Sequence, residues 1–219
     1  MRIRAFAVLV LACWTFAASS SLPKHPGFIG ILGHDGSNTA PEQAAFQPAI
    51  PLRTAPNIDS PIIGELEDIS SAEAYEWSYE DPGLAVYGYV HDGATTWYKI
   101  YASELDQFAW IGARADLTFH GLSGLVTNSL SYMTNEWNKF LYSDPTSLET
   151  ASKSNAHGDE VPIEVASTAI VAGKLWVLVV VLKESPCASA EVPRVLGSGW
   201  VPAVSENSQL NIWFYSRGC

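Results

Sequence analysis

Basic residues are scarce in this chain. Its 219 residues include 12 Lys and Arg against 23 Asp and Glu. The first 20 residues hold two Arg and no acid, so the remainder carries 10 basic and 23 acidic groups, a balance of −13. A surface this acidic repels phosphate backbones and anionic bilayers, which excludes nucleic acids and anionic membranes as partners. Charge of either sign is sparse at 16%, while 47% of residues are hydrophobic, so the chain has material for a core and too much for disorder. Cysteine is scarce as well, with three residues at 13, 187 and 219. Two Cys with no His nearby make no zinc site. Beyond the N-terminus no apolar run reaches the ~20 residues that a membrane helix needs. The longest, Leu175 to Leu182, is followed at once by Lys183 and Glu184.

The N-terminus reads as a secretory leader. Arg2 and Arg4 precede an apolar run from Ala5 to Cys13, extended by Trp14 to Ala18, and small residues follow from Ala17 to Ser21. Residues 1–20 are therefore expected to be a cleaved signal peptide, which makes the protein secreted or periplasmic. The stretch Val10-Leu11-Ala12-Cys13 resembles a bacterial lipobox, so the alternative is lipid anchoring through Cys13. Removal of the leader leaves Cys187 and Cys219, which in an oxidising compartment are expected to form a disulfide. Closing that loop stabilises by roughly 3 to 4 kcal/mol and pins the C-terminal end.

Residues 21–49 are rich in Gly, Pro, Ala and Ser and read as an irregular lead-in. From Ile50 onward short apolar or alternating runs recur, separated by turn residues such as Asp81-Pro82-Gly83, His91-Asp92-Gly93 and Ala172-Gly173-Lys174. This pattern predicts an all-β protein. No stretch shows the period of an amphipathic helix; Ala113 to Leu117 fits one short 3₁₀ turn. The runs look duplicated. Thr95 to Tyr101 followed by Phe108 to Ala113 corresponds to Gly173 to Val181 followed by Gly197 to Ala203, each with a Trp opening the first strand and Trp-(Ile/Val)-x-Ala closing the second.

These segments resemble bacterial SH3-like (Src homology 3) domains. Leu52 to Leu66, LRTAPNIDSPIIGEL, matches the family's Arg-x-x-Pro opening and its apolar-apolar-Gly-x-Leu strand. Trp97-Tyr98-Lys99-Ile100 matches its Trp-Tyr-Lys-apolar strand, and Ala109-Trp110-Ile111 its Gly-Trp-(Val/Ile) closing strand with Ala in place of Gly. In the second half Gly199-Trp200-Val201 matches, but the opening motif is missing. The resemblance implies two tandem small SH3-like β-barrels packed side by side, over 50–121 and, divergently, 122–219.

On a strand through Trp97, Tyr98 and Ile100 would face the core and Trp97, Lys99 and Tyr101 would face out. The resemblance places the first Trp of that strand on the ligand groove, so Trp97, Lys99 and Tyr101 are the candidate ligand-binding residues. The alternative for Trp97 is packing beneath the loop around Trp77 and Tyr79. In the second half both faces of Leu175 to Leu182 are apolar, which predicts that Trp176, Leu178 and Val180 pack against the first barrel.

Catalytic motifs are missing. Gly197-Ser198-Gly199 lacks the acid of a serine-protease nucleophile loop, Gly121-Leu122-Ser123-Gly124 is not a nucleophile elbow, and the carboxylates are scattered. His34-Asp35, His91-Asp92 and His157-Gly158-Asp159-Glu160 are ordinary turn sequences, so neither a metal nor another cofactor is expected. The chain is thus expected to be a non-enzymatic binding protein of the bacterial envelope, recognising a cell-wall peptide or an envelope protein, with a basic partner favoured by its charge. Two other readings stay open: an envelope hydrolase with a site that no motif reveals, and a purely structural envelope module.

Overall fold

The computed structural model describes residues 22–34, 45–188 and 191–217, with 148–150 described for their backbone alone. The expected leader, the lipobox Cys13 and Cys219 lie outside these residues.

Alternation governs the strands. Along Thr96–Ala102, Ile100 and Ala102 are fully buried while Lys99 and Tyr101 are half-exposed on the other side. Turn residues fix the ends of this strand and of its counterpart in the second half. Asp92 accepts the N–H groups of Ala94 and Thr95, and Gly93 takes φ +88°. Ala172 and Gly173 both take positive φ between the paired residues Val171 and Lys174, the geometry of a two-residue hairpin.

The first sheet contains β1 (Gly30–His34), β2 (Ala45–Arg53), β3 (Ile62–Asp68), β4 (Ala74–Ser78), β5 (Asp81–His91), β6 (Thr96–Ala102), β7 (Gln107–Gly112) and β8 (Leu117–Gly121). Its order is β3-β2-β7-β6-β5-β1-β8, with β4 attached to β5. A short helix, α1 (Leu122–Asn128), leads to the second sheet: β9 (Ser131–Met133), β10 (Phe140–Asp144), β11 (Ser147–Lys153), β12 (Val161–Val171), β13 (Lys174–Leu182), β14 (Val195–Pro202) and β15 (Ile212–Phe214). Its order is β11-β10-β14-β13-β12-β9-β15. All the named pairings are antiparallel.

Taken in chain order, and with β4 set aside, the seven strands of each half occupy the same places. The registers agree too. A bulge between Val86 and Gly88 lies opposite Ile100 and Lys99, and one between Val165 and Ser167 lies opposite Val179 and Leu178. Trp110 pairs with Lys99 and with Arg53, as Trp200 pairs with Leu178 and Tyr142.

Three expectations need correction. The hydrogen-bonded paths are open sheets among the described residues, not closed barrels, because β1 and β8, or β9 and β15, extend the outer side of β5 or β12. Residues 21–49 are not merely a lead-in: β1 lies between β5 and β8 with Gly30 to Gly33 all buried. Its glycines are sites of close approach, since a Cβ on Gly30 would lie 2.3 Å from the His120 carbonyl oxygen and one on Gly33 would lie 2.6 Å from the Trp77 ring. Finally, α1 is a helix, held by Leu122, Leu125 and Val126 at helical spacing on its buried side. Ala113 to Leu117 is a turn closed by the Leu117 N–H on the Arg114 carbonyl.

Two cores result. Leu32, Ile50, Leu52, Leu66, Leu84, Val86, Ile100 and Ile111 fill one side of the first sheet. Each fully buried aliphatic contributes about 1.5–3 kcal/mol relative to exposure. The second core gathers Val177, Val179, Val181, Met133 and Trp213 of the second sheet with Ile31, Tyr75 and Ala85 of the first and with Phe28, which precedes β1. Adjacent residues Ile31 and Leu32 thus serve different cores, so β1 is buried on both faces. Trp213 meets Phe28 at 5.2 Å and Tyr75 at 5.7 Å between ring centroids. The first half therefore reaches the second through Trp213, whereas Trp176 is buried against Tyr142 of its own sheet at 5.6 Å. The inward residues of β13 are Val177, Val179 and Val181 because that parity faces the core shared with β9 and β15.

Candidate binding site

Glu73 follows a 3₁₀ turn at Ile69–Ser71. Its N–H donates to the Tyr101 carbonyl and its own carbonyl accepts from Ala85, so the backbone is clamped between β6 and β5. That placement drives the side chain inward, where the residue is 7% exposed. A buried carboxylate is costly unless it is saturated with donors. Four donors serve it. The Lys24 main-chain N–H reaches Oε1 at 2.8 Å, and His25 Nδ1 lies 2.7 Å from Oε2. The hydroxyls of Tyr75 and Tyr87 donate to Oε1 and Oε2 respectively.

Burial pushes the Glu73 carboxyl up, but the bonds from Tyr75, Tyr87, Lys24 and His25 outweigh it and hold the group below its ordinary value. Burial, then the bond to Glu73, push the Tyr75 and Tyr87 phenols far up, so both stay protonated donors.

The His25 ring lies over Tyr101 at 3.7 Å between centroids, inclined by 28°. It presents edges to Tyr87 and Phe108 at 5.9 and 5.6 Å. Lys24, His25, Glu73, Tyr75, Tyr101 and Asp106 line a cavity of about 520 Å³. The Tyr101 hydroxyl donates to Asp106 at its rim.

The three residues predicted on β6 share its outward side but meet different surroundings. Tyr101 forms a wall of the cavity. Lys99 sets its Nζ 4.4 Å above the Phe108 ring, a cation–π contact. Trp97 is 4% exposed, not a free platform, and its Nε1 donates to Asp92 at 2.9 Å. Its neighbour across the sheet is Gly112, and a Cβ built there would meet the indole at an ordinary contact distance of 3.6 Å. Trp97 also borders a separate hollow of about 190 Å³ with Pro48, Arg53, Ile58 and Arg114. Trp77, the alternative neighbour, instead stacks on His120 at 4.0 Å.

Sequence reasoning missed Glu73 and His25. They lie 48 positions apart, and Glu73 stands among other acids with nothing local to mark it. Cys187 occupies an exposed turn after β13. Among the described residues no group of three His, Cys, Asp or Glu is placed to hold a metal ion, and no helix is long and apolar enough to cross a membrane. A scan against protein-family models and searches of curated proteins and of solved structures find no match for this chain.

Proposed function

We propose that this chain is an exported, non-enzymatic binding protein of the bacterial envelope, made of two tandem SH3-like modules, with its ligand site on the outer side of β6 and β7. The observation that carries this reading is the union of Tyr101, an outward residue of the Trp-Tyr-Lys strand, with a cavity walled by aromatic rings and floored by the buried Glu73 carboxylate. Four donors hold the Glu73 carboxylate in place, an arrangement that suits recognition of a charged group. The shared strand order and the matching bulges support a tandem repeat. The acidic balance of the chain favours a basic ligand, such as an amine-bearing cell-wall peptide or a basic segment of an envelope protein. Export by the N-terminal leader, with lipid attachment at Cys13 as the alternative, and a Cys187–Cys219 disulfide complete the proposal.

Co-sedimentation of the mature protein with isolated peptidoglycan, alongside capture from an envelope extract, tests it. The wild type is expected in one of the two bound fractions and the Tyr101→Ala variant in neither. Equal retention of both proteins, each folded by circular dichroism, removes this face from the function.

A further inference from the structure

The segment from Leu22 to Phe28 reaches the cavity from one side. Adjacent residues of it address the two oxygens of one carboxylate: the Lys24 main-chain N–H takes Oε1 and the His25 ring takes Oε2. Tyr75 adds contacts to the same stretch of backbone: while its proton goes to Glu73, its hydroxyl oxygen lies 3.3 Å from the Leu22 carbonyl oxygen and 3.2 Å from the Lys24 amide nitrogen, whose N–H it accepts. Tyr101 stacks on the imidazole, and Tyr87 and Phe108 close around it. These are the elements of peptide recognition: main-chain bonds that fix a strand of foreign backbone, and an aromatic box with a carboxylate that selects a cationic side chain.

We infer that the Glu73 cavity is a receptor for a peptide bearing an imidazolium or ammonium side chain beside a free main-chain N–H, and that Leu22 to His25 is a tethered stand-in for that peptide. The inference deepens the proposed function by naming the ligand chemistry of the same site, and it rests on that reading.

The arm is docked on one side and open on the other: Leu22 packs against the second core and Pro23 is buried, while Lys24, Pro26 and Gly27 are exposed. Phe28 is held by Trp213, and Ile29 is locked by its N–H on Val86 and its carbonyl under Leu122. Gly27 stands between the locked and the docked parts at φ +87°, with nothing within 4 Å of where a Cβ would be. Rotation at Gly27 frees Leu22 to His25 and leaves β1 in place. A tethered occupant lowers the apparent affinity for a free one by the fraction of time it leaves the site open. Removing its side chain therefore strengthens binding from solution.

The test uses an N-acetylated, C-amidated peptide of the arm's own sequence, Leu-Pro-Lys-His-Pro-Gly-Phe, titrated by calorimetry into the mature protein. The His25→Ala variant is expected to bind it at least tenfold more tightly than the wild type. The double variants His25→Ala/Glu73→Gln and His25→Ala/Tyr101→Ala are expected to lose it, as is a peptide with Ala in place of His. Chemical denaturation confirms that each variant is folded; for any that is not, 4-methylimidazole binding to His25→Ala supplies the readout. Failure of His25→Ala to bind either probe overturns the inference, and so does binding that survives loss of Glu73. Tyr101-dependent retention on peptidoglycan or on an envelope protein, together with a negative titration, leaves the proposed function standing and removes this ligand chemistry alone.

Discussion

Replacing Glu73 by Gln changes one atom at the centre of the cavity. The carboxylate accepts four hydrogen bonds: from the Lys24 amide, from His25, and from the hydroxyls of Tyr75 and Tyr87. The glutamine amide keeps one oxygen for two of these donors and turns an NH₂ toward the other two. A buried donor left without an acceptor costs about 1–3 kcal/mol. The Tyr hydroxyls can rotate to accept from the NH₂, which recovers part of that. A loss near 3 kcal/mol results, or roughly 6 to 12 °C in melting temperature for a chain of this size.

The pH dependence provides the sharper check. The folded carboxyl lies below its ordinary value of 4.5, so between the two values the unfolded chain binds more protons and stability rises with pH. The charged group's contribution is full above 4.5 and is lost as pH falls through the folded value. Urea unfolding of the wild type and of Glu73→Gln should therefore differ most near pH 7 and converge below pH 4.5. Equal stability at pH 7, or a gap that stays constant down to pH 3, would refute the account of Glu73 as a saturated buried carboxylate.

Other perturbations follow from the packing. Trp213→Ala should cost about 3–5 kcal/mol, because Trp213 is 2% exposed and joins the halves through Phe28 and Tyr75; thermal melting reads this. Gly30→Ala should destabilise by about 1–3 kcal/mol or more, since the new methyl group meets the rigid backbone of β8 at His120, and a neutral result in denaturant titration would contradict the close approach. Trp97→Ala should also cost about 3–5 kcal/mol, whereas Trp97→Phe should lose less; fluorescence-monitored unfolding separates the two. Arg217→Ala, which breaks an exposed pair with Glu76 at 3.0 Å, should change stability by less than about 1 kcal/mol in the same assay.

Much of the architecture was legible because alternation is a strong signal where one face of a strand is buried and the other is not. β6 announced its core residue Ile100, and the parity that pointed Tyr101 outward also put it at the cavity. The Trp-containing motifs marked β6, β7, β13 and β14 and aligned them in the order that the two sheets share. β1 stayed hidden for the opposite reason. Buried on both faces and pressed against the His120 backbone and the Trp77 ring, it needs Gly30 and Gly33, and glycine reads as loop. The helix α1 carries its apolar period over only seven residues, with Leu122, Leu125 and Val126, too brief a run to stand out in the sequence. The depth of Trp97 was not legible because parity gives direction and not depth: the bond from its Nε1 to Asp92 in the turn forms only once the hairpin is folded. Glu73 and His25 acquire meaning only once the Leu22–His25 segment and β5 are neighbours in space, and no spacing in the sequence encodes that.

The place of β1 between β5 and β8 also bears on the order in which the molecule is assembled. Among the described strands it is synthesised first, yet one of its two partners, β8, completes its pairing at Gly121, opposite Gly30. In the second half β9 waits likewise for β15, with Met133 opposite Ile212. Each half is closed by its most distant contact, and loops of this length make such closure slow. For a chain threaded across a membrane before it folds, as proposed above, delay is an advantage: neither sheet can be completed until nearly all of its own half has been delivered.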